Sequence, residues 1–152
     1  MEPVFSQRTK KHLLLIYPSQ LFAPNCGDII STNPSFVNLF SYLSQYKDIN
    51  TQVLDLDIEI KRPKTIQEIS GFKEKVTKII GKYDFDFVGI SCSYSINYLS
   101  SIMVAKVCRN INRDCVIMVG GMHASAIPDD FIYSGSPFDF VVIGEGEKAL
   151  LN

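Results

Sequence analysis

Val141 to Leu150 reads VVIGEGEKAL, an apolar run followed by Gly144-x-Gly146-x-x-Ala149, which matches the glycine spacing of a dinucleotide-binding turn. That fingerprint requires a helix, a further strand and an acidic residue about twenty positions on to hold a ribose. The sequence stops at Asn152 and supplies none of them. The run before the glycines is therefore expected to be the last strand of a sheet, and the glycines need another explanation.

Working back from this stretch, strand and helix patterns alternate to the amino end. His12–Tyr17 is continuously apolar after its first residue, the pattern of a strand covered on both faces. Asn33-Pro34 reads as a cap followed by proline at the first helical position, ahead of Phe36, Leu39, Phe40, Leu43 and Tyr46 at helical spacing. Thr51–Leu56 reads as the second strand. Thr65 and Glu68 form a capping-box pattern before a helix with Ile66, Ile69, Phe72, Val76, Ile79 and Tyr83 on one face and lysines on the other. Phe85–Cys92 is a third strand, Ile96–Ile111 a third helix, Cys115–Val119 a fourth strand and Asp139–Ile143 the fifth. Pro128-Asp129-Asp130 starts a short helical turn between the last two.

Strands joined by helices of this length imply right-handed crossovers and a parallel sheet with helices on both faces. The expected fold is a doubly wound, flavodoxin-like α/β domain in three αβα layers, its five strands in the order 2-1-3-4-5. One domain over residues 1–152 suits the length. Ligands of such sheets bind beyond the carboxyl ends of the strands, near the point where strand order reverses.

The composition limits the partners. Fifteen basic residues against 16 acidic ones give a formal charge of -1, which offers no counterion-displacing surface for nucleic acid. Apolar runs such as Leu13–Tyr17 fall far short of the roughly 20 residues of a membrane span. Residues 1–11 are too polar for a signal peptide, so a cytoplasmic location is expected. Cysteines at 26, 92, 108 and 115 fit neither a zinc knuckle nor a tight iron-sulfur clamp. Cys92, Cys108 and Cys115 fall in apolar patterns and read as buried thiols; Cys26, in a loop, has no basic neighbour to lower its pKa.

The strand ends carry the candidate site. The segment from Pro18 to Thr32, beginning with Ser19, is long for a strand-to-helix connection and forms a candidate ligand lip. It lacks the hydroxyl- and glycine-rich nest of a flavodoxin, and Tyr17-Pro18, Ser91 and Gly144 stand where a receiver domain would place its acids and lysine. Ser91 and Ser93 end the third strand and Gly120-Gly121 the fourth, small residues that let a ligand reach the backbone. The same residues also serve a local turn and positive φ angles without any ligand. His123 fits a hydrogen-bonding role at the sheet mouth better than catalysis. Glu145 and Glu147 suit a cation or a ligand hydroxyl, but acids in a first helical turn are already favoured by the helix dipole.

Taken together, KKHLLLIYPS, DFVGISCS, VIMVGGMHAS and DFVVIGEGEKALL resemble the cobalamin-binding domain that precedes the catalytic barrel in cobalamin-dependent radical S-adenosylmethionine enzymes. The most specific part is GG-x-H-A followed some twenty residues later by D-x-V-V-x-G-E-G-E. In that family GEGE marks the end of the fifth strand, so the resemblance explains the GxGxxA match as a coincidence of spacing. It implies a cobalamin held at Ser19, Ser91, Ser93, Gly120, Gly121, His123, Gly144, Glu145 and Gly146, with its nucleotide tail drawn off cobalt and threaded beside Ser91 and the glycine pair. No catalytic or metal-ligating residue is assigned.

Two departures qualify the implied chemistry. Relatives of this fold often carry D-x-H-x-x-G, whose histidine ligates cobalt from below, and later S-x-L. Here no D-x-H occurs, neither histidine lies in the Pro18–Thr32 loop, and Ser93 replaces the leucine of Ser91-Cys92-Ser93. Axial ligation tunes a metal cofactor, and a cobalt without histidine is suited to handing a methyl group to a substrate radical. The C-x-x-x-C-x-x-C clamp for the four-iron cluster that cleaves S-adenosylmethionine is also missing. The expectation is a chain truncated before a radical S-adenosylmethionine barrel, which would work with it in cis. The competing expectation is a docking domain of the same fold without cofactor.

Overall fold

The computed structural model describes residues 10–21, 34–60 and 62–151. Five strands form one sheet: β1 (Lys11–Tyr17), β2 (Ile49–Asp55), β3 (Phe87–Ser91), β4 (Val116–Gly120) and β5 (Phe140–Val141). Every pairing is parallel and the order is β2-β1-β3-β4-β5, the doubly wound arrangement expected from the sequence.

The helices are α1 (Pro34–Leu43), α2 (Leu56–Glu59), α3 (Ile66–Ile80), α4 (Tyr98–Ile111), α5 (Met122–Ala126) and α6 (Gly146–Ala149). The capping box of α3 is fully formed, with Thr65 Oγ1 accepting from Glu68 N–H and the Glu68 carboxylate accepting from Thr65 N–H. Of the expected apolar stripe, Phe72 and Val76 are buried, whereas Ile66, the first residue of the helix, is 77% exposed.

Period-two alternation divides the core between the two faces. Leu14, Ile16, Val88, Ile90, Ile117 and Val119 pack with Phe72, Val76, Val104 and Cys108 from α3 and α4. Leu13, Leu15 and Tyr17 turn the other way, against Phe36 and Leu43 of α1, with Phe87, Met118 and Leu150 beside them. Tyr17 meets Phe36 edge to face, with ring centroids 6.3 Å apart. No helix among the described residues is long and apolar enough to cross a membrane.

Three local features depart from the sequence reading. The second strand stops at Asp55, whose carboxylate accepts the Asp57 N–H at 2.9 Å and starts the turn of α2. The glycine pair runs into α5, whose N–H groups at His123 and Ala124 share the Cys92 carbonyl (3.1 and 3.4 Å). The fifth strand is two residues long, because the Asp139 carboxylate takes the Ile117 N–H at 2.7 Å and replaces a ladder acceptor there. Arg109 holds that carboxylate at 2.7 Å and also donates to the Cys115 carbonyl, which clamps this edge of the sheet.

Candidate functional site

The register of β3 and β4 places the small residues together. Gly89 pairs with Met118 and Ser91 with Gly120, so Gly89, Ser91 and Gly120 share the α1 face by strand parity. Leu15 pairs with Gly89 from the other side. The result is a low stretch of sheet surface at Ser91 and Gly120, with the Leu15 side chain lying over Gly89. A Cβ on Gly89 would come 2.9 Å from Leu15 Cδ2, so that glycine makes room for its neighbour. A Cβ on Gly120 would meet Val142 at 3.5 Å, an ordinary contact, and Gly120 itself lines the cleft.

This stretch is the floor of a cleft of about 720 Å³, within the range of roughly 300–1,000 Å³ usual for small-molecule sites. Leu15, Gly89 and Met118 line the bottom, Phe36 and Leu39 of α1 form one wall, and Val142 and Leu150 form the other. Ser35, Asn38, Ser125 and Glu147 supply polar groups. Among the described lining residues there is no lysine, arginine or histidine.

Of the residues singled out from sequence, Ser91, Ser93, Gly120 and Gly121 line this cleft together, and Gly144, Glu145 and Gly146 line its far side. Ser91 and Ser93 hydroxyls lie 3.1 Å apart. Gly144 has φ 80° and its N–H donates to Ser125 Oγ at 3.0 Å. Glu145 is exposed at the lip. Gly121 also has a structural duty: its φ is 102°, and a Cβ there would sit 2.8 Å from Cys92 O and 2.9 Å from Cys92 C. Only glycine lets α5 start this close to the end of β3.

Ser19 and His123 lie outside the cleft lining. His123 turns into an aromatic group with Tyr98 and Phe131 (centroids 6.0 and 5.9 Å) and meets Ser95 Oγ through Nδ1 at 3.2 Å. Ser19 is fully buried at the carboxyl end of β1, and its hydroxyl has no partner among the described residues. Nearby, Asn97 Nδ2 donates to the Pro18 carbonyl at 3.1 Å while its Oδ1 is buried without a partner among the described residues. The rest of the expected lip, residues 22–32, and Cys26 lie outside the described residues.

Sequence reading missed Gly89, Met118 and the α1 residues Ser35, Asn38 and Leu39. Parity was the available signal: Gly89 and Met118 precede Ser91 and Gly120 by two, so each pair shares a face. The cysteines follow expectation. Burial raises the thiol pKa of Cys92, Cys108 and Cys115, which leaves them protonated and unreactive. Among the described residues no group of histidine, cysteine and carboxylate side chains is placed to hold a metal ion.

Comparison with known proteins assigns the architecture. Residues 36–152 match the B12-binding domain family. The chain belongs to that family. The match spans β2 to β5 and the cleft residues Ser91 and Gly120 of this B12-binding domain, while β1 precedes it. A curated relative, the uncharacterized methyltransferase PH0819 of Pyrococcus horikoshii, is 34% identical over 93 residues, which cover 58% of this chain and 20% of that protein. The crystal structure of a UDP-N-acetylglucosamine 2-epimerase aligns with a TM-score of 0.46 at 12% identity, covering 72% of this chain and 33% of the other. The B12-binding domain thus spans about a fifth of its curated relative and a third of that structure.

Proposed function

We propose that this B12-binding domain holds cobalamin with the nucleotide tail in the cleft and the corrin over the carboxyl rim of the sheet, and presents it to a radical S-adenosylmethionine active site supplied in cis. The observation that carries the reading is the cleft lined by the paired small residues Ser91 and Gly120 at the carboxyl ends of adjacent strands. The cleft volume suits a tail of this size, and the unpartnered Ser19 hydroxyl is a spare polar group at the carboxyl end of β1.

Ser91 and Ser93 offer hydroxyls to the tail, while Gly120 and Gly121 keep the sheet surface low enough for it to lie flat. Gly144, Glu145 and Gly146 border the opening, with Glu145 available to a ligand hydroxyl or amide. When bound, the corrinoid supplies a cobalt centre able to carry a methyl group. Neither histidine reaches the cleft: His123 is engaged with Ser95 and the aromatic group, and His12 lies at the amino end of β1 beside Asn50. Neither histidine of this chain would therefore be among the residues that hold the corrinoid in this cleft. The methyltransferase name of the Pyrococcus relative supports methyl transfer as the reaction, with the four-iron cluster and S-adenosylmethionine held by the partner domain. A cytoplasmic location fits this role.

The test is retention of corrinoid. The protein is incubated with hydroxocobalamin, freed of excess ligand by gel filtration and examined by visible absorption. Corrinoid bands that co-elute with protein support the reading. Colourless protein overturns it and favours the cofactor-free docking domain.

A further inference from the structure

We propose that the α1 face of the sheet carries a second binding surface, an apolar strip at the amino side of β3 to β5 that takes one amphipathic helix from the polypeptide following α6. Phe87 pairs with Val116 and Met118 with Phe140, and strand parity turns all four toward the face that holds Gly89. Phe87, Val116 and Met118 are only half-buried, and Phe140 is 59% exposed. Of the four, Met118 alone lines the cleft.

A parallel sheet is normally covered on both faces. The opposite face meets that rule through α3 and α4, and α1 covers Leu13, Leu15 and Tyr17 on this one. Over β3 to β5 on the same face, the described residues place no helix longer than five residues. Four large apolar side chains at neighbouring register positions replace the polar residues of a solvated sheet face, which marks the strip as a surface covered in the working protein.

The shape of the strip selects the occupant. Two strand spacings separate Phe87 from Phe140, about 10 Å, the width of one helix with its side chains. α6 leads onto the strip: Leu150 and Leu151, directly after Ala149, join Phe87 and Met118 in packing against the core that α1 forms with β1. Continued in that direction, a helix with apolar residues at i, i+3, i+4 and i+7 lies antiparallel to the strands with its stripe on Val116 and Phe140. Its flank toward β1 meets Lys11, whose ammonium stands 5.6 Å from the Phe87 ring centroid and suits an acidic residue. The matched region is 20% of the Pyrococcus relative, so a protein of that build has polypeptide to spare for such a helix.

The test extends the 152-residue chain beyond Asn152 by about three helical turns of alanine and glutamate with leucines at i, i+3, i+4 and i+7, and compares it with the same extension carrying glutamine for leucine. Melting is followed by circular dichroism and mass by sedimentation. The leucine extension should raise the melting temperature by at least about 3 °C, and the glutamine extension should leave it within about 1 °C of the unextended chain. Phe140→Asp should leave the unextended chain nearly unchanged, since the ring is exposed, and should remove most of the gain from the leucine extension. A leucine extension without gain, or a gain that survives Phe140→Asp, overturns the proposal. So does an unextended chain that sediments as a dimer and becomes a monomer on Phe140→Asp, because a second copy then occupies the strip. None of these readings involves a corrinoid, so the outcome is independent of cofactor retention.

Discussion

Gly121 and Gly120 are neighbours with opposite duties, and Gly121→Ala against Gly120→Ala separates fold from site. At Gly121 the φ of 102° with ψ of 176° lies in a region essentially confined to glycine and costs an L-residue about 1–3 kcal/mol. The new Cβ would also meet Cys92 C and O at 2.9 and 2.8 Å, both backbone atoms that move only with the end of β3; such overpacking adds about 1–3 kcal/mol. The sum, about 2–6 kcal/mol, is a large part of the roughly 5–15 kcal/mol that holds a domain together. At about 2–4 °C per kcal/mol for a chain of this size, melting falls by on the order of 10 °C. Gly120→Ala meets Val142 at 3.5 Å with no positive φ and is expected to stay within about 1 kcal/mol of the parent. It should nonetheless weaken corrinoid retention, because its methyl group enters the cleft. Thermal melts followed by circular dichroism, with retention measured in parallel, test both halves. A Gly121→Ala protein that melts with the parent would refute the close-approach argument, and a Gly120→Ala protein that unfolds early would refute the open-floor argument.

Ser19→Ala removes a buried hydroxyl that has no partner among the described residues, so the ligand-free protein should be unchanged or more stable by up to about 1 kcal/mol in urea unfolding; a clear loss of stability would mean the hydroxyl is bonded. Arg109→Ala frees Asp139 and several carbonyls at the sheet edge and should cost about 1–3 kcal/mol, with faster hydrogen exchange at Val142 N–H than in β3. Burial raises the thiol pKa of Cys108 above its ordinary 9.0. The folded state then keeps a proton that the unfolded chain releases, so this contribution is intact below about pH 9 and is lost as pH rises beyond it. Cys108→Ala should flatten the fall in urea midpoint between pH 8 and pH 10.5, and an unchanged slope would assign that fall to other groups.

The sheet order was legible because apolar runs of strand length alternate with helical stripes, and crossover handedness leaves few topologies. Thr65 and Glu68 announced α3 through side chains that act within four residues. The ends of elements were harder to read. Asp55 stops β2 by capping α2, and Asp139 shortens β5 by taking a ladder N–H; each depends on which partner the carboxylate finds in space. The rim residues Ser91 and Gly120 were visible as small residues at strand ends. His123 was not separable from them by position, since only the packing of Tyr98 and Phe131 turns its ring away. Gly89 and Met118 looked like ordinary strand interior until the register set them beside Leu15.

The two walls of the cleft touch through Gly146, where a Cβ would stand 3.7 Å from Leu39 of α1. Alanine fits at that contact, but anything bulkier wedges α6 away from α1. The width of the groove is thus written at a position far from the floor, while its depth is written at Gly89 and Met118. A lineage reshaping this groove for a different guest can adjust the two dimensions by separate substitutions, without rebuilding the strands that carry them.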